Sequence, residues 1–247
     1  FVTGTDSPRG VGRNLVKMLL EKGVKKVYAA STKKELLDEV VESNDGRVVA
    51  VELDVTKREQ VDPLGKLYPD VNLLINNAGY NGFTNCFDEE VEKMRMEMDV
   101  NYFGPLLVSK SFQHVLRKEG TTTEEGKKQS ALVNVASIAT FMNFPVCATY
   151  SASKAANYSL TQMLRRELPS SLVIGVFPGP IDTDMCAHLD IDKFPASVIA
   201  KSIIEALENG TEECMPDPIS SQLYEDWRKD PKAVERAMTE SAKQEQS

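Results

Sequence analysis

Long apolar runs are missing from this chain of 247 residues. None approaches the roughly 20 residues that a membrane helix needs, so no membrane span is expected. Basic charge is also short: 29 Lys and Arg stand against 37 Asp and Glu, a net charge of −8, with no basic cluster. A phosphate backbone is gripped by concentrated Lys and Arg, which argues against a nucleic-acid partner. The cysteines are few. Cys86, Cys147, Cys186 and Cys214 lie far apart, without a C-x-x-C or a neighbouring His pair. That pattern gives no zinc knuckle and no disulfide framework, so no metal is expected and a reducing, cytoplasmic compartment is the default. The opening residues Phe1-Val2-Thr3-Gly4 show no basic n-region or apolar h-region of a signal peptide. They read as the inside of a first strand, which implies that a few residues precede Phe1.

What is present is a globular composition, 41% hydrophobic and 27% charged, in which short β-rich runs alternate with longer helical patterns. Strands are expected at Phe1–Gly4, Lys26–Ser31, Val48–Leu53, Val71–Asn76, Ser130–Val135, Leu172–Phe177 and Glu213–Met215. Helices are expected at Gly10–Glu21, Lys33–Val41, Lys57–Lys66, Asp99–Lys118, Thr149–Leu168 and Pro195–Glu208. Strict βαβα alternation implies right-handed crossovers, hence an α/β fold: a doubly wound sheet of about seven parallel strands with helices on both faces. One domain over 1–247 is expected, with a C-terminal tail from about 217. A polar stretch, Glu119–Gln129, reads as a surface excursion. In the tail, Ile219, Leu223 and Trp227 recur at i, i+4, i+8, so it should dock on the rest of the chain.

The first strand joins the first helix through Thr3-Gly4-Thr5-Asp6-Ser7-Pro8-Arg9-Gly10-Val11-Gly12. Glycines let such a loop turn tightly and approach a pyrophosphate, while the helix N-terminus offers free N–H groups and the positive end of its dipole. The second strand ends Ser31-Thr32-Lys33-Lys34. A site that selects NAD usually carries a carboxylate there for the ribose 2′-OH. Hydroxyls and cations, with Arg9 waiting in the glycine loop, suit a 2′-phosphate instead.

Further along, Asn76-Asn77-Ala78-Gly79 closes a strand, Asn101 lies in the next helix, and Ser137 follows the fifth strand. Thirteen residues later comes Tyr150-Ser151-Ala152-Ser153-Lys154, then Pro178-Gly179-Pro180-Ile181-Asp182-Thr183. Tyr150 and Lys154 stand at i, i+4 on one helix face. A phenol with a pKa of about 10 is a poor acid–base group at neutral pH, and a neighbouring ammonium would lower it. In this order and combination the motifs resemble the short-chain dehydrogenase/reductases, in the single-domain branch of about this length. The likeness covers roughly Phe1 to Met185 by motif and the rest by outline.

The resemblance implies a Rossmann-like fold, a nicotinamide dinucleotide and hydride transfer, with roles for named residues. Tyr150 would be the acid–base group on the carbonyl or alcohol oxygen. Ser137 would hydrogen-bond the same oxygen and stabilise its developing charge. Lys154 would lower the Tyr150 pKa and bind the nicotinamide ribose, and Asn101 would hold the helix geometry and a water leading to Lys154. Gly4, Ser7, Gly10 and Val11 would line the pyrophosphate and adenosine ribose, Asp54 and Val55 the adenine edge, and Asn77, Ala78 and Gly79 the adenosine ribose. Pro178, Gly179, Ile181 and Thr183 would meet the nicotinamide. Arg9, with Ser31, Thr32 or Lys33, would meet the 2′-phosphate of NADP(H). NAD(H) stays open as the alternative, because the position where NADP-preferring members often carry Arg is Thr32.

Two departures stand out. Five residues separate the first two glycines of the loop, against three in the family. About nine extra residues precede Ser137, within the polar stretch. His114 reads as a surface residue, and Glu89, Glu90, Glu92 and Glu97 as a solvated helix face. Ala139, Phe141, Met142, Phe144, Cys147, Pro180 and Met185 suggest an apolar pocket with no fixed charge, hence a small apolar ketone, aldehyde or secondary alcohol as partner; His188 borders it. A non-catalytic scaffold on the same frame would be expected to lose the Tyr/Lys pair, which is intact. Helices over Asp99–Lys118 and Thr149–Leu168 carry Leu107, Val108, Phe112, Val115, Leu116, Tyr158, Leu160, Met163 and Leu164, more apolar positions than one stripe needs. A homodimer or homotetramer paired through them is expected.

Overall fold

Side-chain alternation along the strands divides the core into two layers. The computed structural model describes residues 1–247 apart from 45, 88–89, 118–127, 129, 146 and 245–247, with the backbone alone for 241–244. The polar stretch before the fifth expected strand, apart from Lys128, and Glu89 lie outside the described residues. Strands β1 (Val27–Ser31), β2 (Val48–Glu52), β3 (Leu73–Asn76), β4 (Ser130–Val135) and β5 (Ser171–Val176) run parallel. A two-stranded pair, β6 (Ile181–Asp182) and β7 (Phe194–Pro195), precedes the short edge strand β8 (Glu213–Cys214). Residues 1–3 fill the gap between β1 and β3. Val2 N–H donates to Tyr28 O and Ala30 N–H returns to Val2 O, while Thr3 N–H donates to Ile75 O and Ile75 N–H to Phe1 O. The order is thus β2, β1, residues 1–3, β3, β4, β5, β8, all parallel. The β6–β7 pair was not expected from the sequence, because two-residue strands carry no periodicity.

Successive strand residues point to opposite faces. Val2, Ala29, Ile75, Val133 and Ile174 meet α1 (Val11–Glu21) through Leu15, Val16 and Leu19, and α9 (Ala196–Asn209) through Ile199 and Ile203. On the opposite face Phe1, Tyr28, Leu74, Leu132 and Val173 meet Val61, Leu64, Val108, Phe112 and Leu116. Burying one such aliphatic side chain contributes about 1.5–3 kcal/mol.

Several helices are short: α2 (Asp38–Glu42), α3 (Arg58–Val61), α4 (Leu64–Leu67), α5 (Val91–Met98), α6 (Gly104–Ser111) and α7 (Gln113–Leu116). The single helix expected over Asp99–Lys118 is interrupted at Phe112, between α6 and α7, and begins as a π turn. A π turn, Asp99–Phe103, links α5 to α6, and Pro105 lies just inside α6. Proline has no N–H to return to the carbonyl four residues back, which here belongs to Asn101. The long helix α8 (Ala148–Glu167) carries Tyr150 and Lys154.

Most of the expected surplus of apolar positions faces the chain's own sheet. Val108, Phe112, Leu116 and Leu160 are buried, while Phe103 (45%) and Met163 (49%) remain exposed. The tail forms α10 (Pro218–Lys229) and α11 (Pro231–Gln244). It docks as expected: Leu223, Tyr224, Trp227, Val234 and Met238 cluster with Ile138, Phe141, Met142 and Phe144. Among the described residues no helix is long and apolar enough to cross a membrane.

Candidate active site

The segments that follow residues 1–3 and strands β1 to β5 open onto one cleft at the C-terminal ends of the strands, the place where a doubly wound sheet binds its ligands. The glycine loop supplies Gly4, Ser7, Gly10 and Val11; β1 supplies Ser31 and Thr32; the loop after β2 supplies Asp54 and Val55. Asn77, Ala78 and Gly79 follow β3, Ser137 follows β4, and Pro178, Gly179, Ile181 and Thr183 follow β5. Tyr150 and Lys154 close the far end. The floor and walls also include Met185, expected in the pocket, and Asp6, Leu53, Tyr80, Val100, Asp184 and Cys186, which the sequence did not single out.

The glycine loop is held by Asn77, whose Nδ2 donates to Thr3 O at 3.0 Å and Gly4 O at 2.8 Å. Gly4 has φ +68° and lies so close to the following β3 loop that a Cβ would stand 2.6 Å from Ala78 Cα. At Gly12 a Cβ would stand 2.3 Å from Gly4 O. These two glycines are steric requirements of the turn. Gly10 caps α1 without a side-chain bond, leaving the helix N-terminus facing the cleft. Asp6 Oδ1 is buried without a hydrogen-bond partner.

Two of the expected 2′-phosphate contacts lie elsewhere. Lys33 is exposed and outside the cleft lining, its N–H and C=O both bonded to Ser31 Oγ. Arg9 is also outside the lining and pairs with Asp182 at 2.5 Å, while Ser7 donates to Asp184. The lengthened loop carries both residues toward the segment after β5, which offers carboxylates. Arg13 holds the other flank, donating to Leu36 O at 2.6 Å.

At the opposite end the polar groups are buried. Asn101 is 1% exposed; its Oδ1 accepts from Tyr80 N–H at 2.9 Å, and its Nδ2 donates to Tyr80 O at 2.7 Å and Ser153 Oγ at 2.9 Å. Its carbonyl, beyond reach of the missing Pro105 N–H, accepts from Asn157 Nδ2 at 2.8 Å. The network continues inward. Thr161 Oγ1 donates to Asn157 O, Asn134 Nδ2 donates to Thr161 Oγ1, and Asn76 Nδ2 donates to Asn134 Oδ1. Asn134 and Asn157 were missed in the sequence, although a lone Asn inside the apolar run of β4 was the available signal.

Ser137 Oγ accepts from Ala139 N–H at 3.1 Å and donates to Pro178 O at 3.5 Å. Burial pushes the Tyr150 pKa above its ordinary value; the nearby Ser137 hydroxyl pulls it back in part, and Cys147, Cys186 and Glu97 push it up again. The lowering expected from Lys154 is not what this arrangement gives. The Lys154 amine donates to Val135 O at 3.0 Å and stands 5.5 Å from the Tyr150 ring centroid. It is 4% exposed, and burial pulls its pKa down to about 8. A Cβ on Gly79 would reach 3.5 Å from both Lys154 Nζ and Asn101 Oδ1, so glycine leaves room for a ligand beside the amine.

The substrate side departs most from expectation. Phe141 packs on Tyr158, Phe177, Tyr224 and Trp227, and Met142 and Phe144 join the tail cluster, so these three face away from the cleft. Of the expected pocket residues Met185 does line the cleft, joined by Cys186, while Ala139, Cys147 and Pro180 are outside its lining. Glu97, expected on a solvated face, is 0% exposed. It accepts from Gly82 N–H at 2.8 Å and Thr84 Oγ1 at 3.4 Å, and burial pushes its carboxyl up. Helix α5 rolls this residue inward because the 80–84 loop presents donors with no other partner at hand. Thr84 O in turn accepts from Ala148 N–H at the start of α8. Phe83 meets His188 edge-on with centroids 4.3 Å apart, and Asn81 Nδ2 donates to Cys147 Sγ. Burial raises the thiols of Cys147 and Cys186.

A family profile described as short chain dehydrogenase matches residues 1–193. An uncharacterised oxidoreductase of Staphylococcus aureus is 31% identical over 215 residues, spanning 83% of this chain and 89% of that relative. A 3-oxoacyl-[acyl-carrier-protein] reductase of Synechocystis is 30% identical over 197 residues, 76% of each chain. Among solved structures, a short chain dehydrogenase from Burkholderia cenocepacia in complex with NADP superposes with a TM-score of 0.85 at 37% identity, covering 96% of this chain and 95% of that one.

Proposed function

The chain belongs to the short-chain dehydrogenase/reductase family of oxidoreductases, and from that premise we propose that it is an NADP(H)-dependent carbonyl reductase acting on a small, apolar ketone or aldehyde. The observation that carries this reading is the convergence of Ser137, Tyr150 and Lys154 on one end of a cleft whose other end is a glycine loop at a helix N-terminus. The residues fit a dinucleotide: uncapped α1 faces the pyrophosphate position, Gly79 leaves ribose space beside Lys154, and Asp6 Oδ1 is an acceptor without a donor. The NADP held by the 37%-identical Burkholderia protein supports the choice of cofactor. So do Ser31 and Thr32 in the cleft lining, where a carboxylate would favour NAD.

A bound reduced nicotinamide supplies the hydride. The chain's own groups do the rest. Tyr150, kept protonated by its raised pKa, gives its proton to the carbonyl oxygen as charge develops there. Ser137 donates to the same oxygen. Lys154, neutral or charged near pH 8, is suited to restore the phenolic proton. Asn101 fixes Tyr80 and Ser153 around this centre and so holds the geometry. A panel of ketones and aldehydes followed by NADPH absorbance tests the reading. Turnover of an apolar carbonyl is expected; NADPH left unoxidised with every panel member, or a preference for NADH, would reject the reading.

The whole chain 1–247 acts as one unit in this reading, with the tail as part of it. Exposed Phe103 on the π turn and Met163 on α8 support the expected pairing of two copies through the helices after Asp99 and Thr149. Light scattering at micromolar concentration checks this; a clean monomer mass refutes it.

A further inference from the structure

We propose that Asp217 is a positioning residue of the dinucleotide site, coupling the docked C-terminal helices to cofactor binding; this rests on the reading just given. The Asp217 carboxylate is 3% exposed and its two oxygens serve two different elements. Oδ1 accepts from Ser220 N–H at 2.8 Å and closes the N-terminus of α10, with the Asp217 N–H donating back to Ser220 Oγ. Oδ2 accepts from Gly179 N–H at 2.8 Å.

Gly179 sits between Pro178 and Pro180, and proline carries no N–H. Its N–H is therefore the one backbone donor of that three-residue turn, and Asp217 takes it. The turn forms the cleft wall at Pro178 and Gly179 and leads to Ile181 and Thr183. A Cβ on Gly179 would stand 3.0 Å from Asp217 Oδ1, so the two elements are in close contact.

A second contact ties the same tail to the other strand-end loop. Leu223, Trp227 and Val234 bury against Ile138, Phe141 and Met142, directly after Ser137. The tail thus braces the loops after both β4 and β5, which carry Ser137 and Gly179, without entering the cleft. A ligand that binds the braced form better must stabilise docking by the same factor that docking improves its affinity. Asp217 is the polar joint of that linkage, and the apolar cluster is its support.

Trp227 is the only tryptophan and lies in the docked cluster, so its emission reports the tail and, by transfer to reduced nicotinamide, binding. NADPH is titrated against the unaltered chain, Asp217→Ser, Asp217→Asn and Ser220→Ala. Ser keeps a capping hydroxyl for α10 but cannot reach Gly179 with a second oxygen. Asn has one acceptor oxygen for two N–H donors. Both are expected to raise the NADPH Kd roughly tenfold, the scale of one charge-assisted hydrogen bond, with Asn also providing the reading if Ser fails to fold. Ser220→Ala should stay within about twofold, since it leaves the Gly179 contact in place. Saturating NADPH should slow tryptic cleavage of α10 and α11 in the unaltered chain and not in Asp217→Ser. An unchanged Kd in folded Asp217 variants, or an equal loss in Ser220→Ala, overturns the proposal alone. No dinucleotide binding by the unaltered chain overturns it together with the proposed function.

Discussion

The two ends of the cleft are built by opposite means. At the carbonyl end the polar groups are buried and each is committed: Asn101, Ser137, Ser153 and Lys154 are all under 10% exposed and lie in bonds to strand ends or to α8. At the nucleotide end the charged groups are half-exposed, and the Arg9–Asp182 pair leaves the two side chains at 55% and 51%. A buried polar group costs free energy unless paired, so its partner is dictated. An exposed ion pair contributes about 0–1 kcal/mol and is easily exchanged for another. The first end is a fixed constellation, and the second is a set of side chains free to choose partners when a phosphate arrives.

The contrast is broken most directly at Tyr150. Tyr150→Phe keeps the ring and removes the transferable proton, so turnover should fall by about 10²- to 10⁴-fold with NADPH affinity nearly intact. Steady-state kinetics beside a binding titration measure both; a variant keeping most of its turnover would remove Tyr150 from its role. At the other end the expected effect is smaller and selective. If an arriving 2′-phosphate draws Arg9 away from Asp182, Arg9→Ala should weaken NADPH by roughly ten- to a hundredfold and leave NADH little changed. Asp182→Asn, which frees Arg9 from its carboxylate, should tighten NADPH a few-fold. Equal losses for both cofactors in Arg9→Ala would reduce Arg9 to a brace of the long loop.

Glu97 sharpens the comparison from the buried side. Glu97→Leu leaves the Gly82 N–H and the Thr84 hydroxyl without their acceptor. A loss of about 1–3 kcal/mol in stability is expected, with a rise in KM for the carbonyl substrate that exceeds any rise for cofactor. Denaturant unfolding and paired KM measurements check it; wild-type stability would mean the loop holds itself.

Lys154 gives the gentlest test, through pH. Its folded pKa of about 8 lies below the ordinary 10.5 because burial disfavours the charge. Below pH 8 both folded and unfolded forms carry the proton and the burial cost is fully present. Between about 8 and 10.5 the unfolded chain binds more protons, so stability rises with pH across that window. Lys154→Met should flatten this rise and raise Tm at pH 7 while abolishing turnover. Melting curves of both proteins from pH 7 to 10 decide it, and parallel slopes would mean the amine is not desolvated.

Sequence alone determined what repeats or recurs at fixed spacing. Alternating apolar residues define two sheet faces, the i, i+4 spacing puts Tyr150 and Lys154 on one helix face, and Asn77 and Gly79 follow a strand end. These follow from local periods of 2 and 3.6 residues, which every stretch of chain carries within itself. Tertiary structure decided what depends on which neighbour a side chain meets. It turned Glu97 inward toward the 80–84 loop, sent Arg9 to Asp182, took Phe141 and Met142 out of the cleft to meet Trp227, and gave the Asn101 carbonyl to Asn157. It also joined Asp217 to Gly179, 38 positions away. Such pairings are chosen by the desolvation of polar groups and by the shape of distant surfaces, and neither is written in any local spacing.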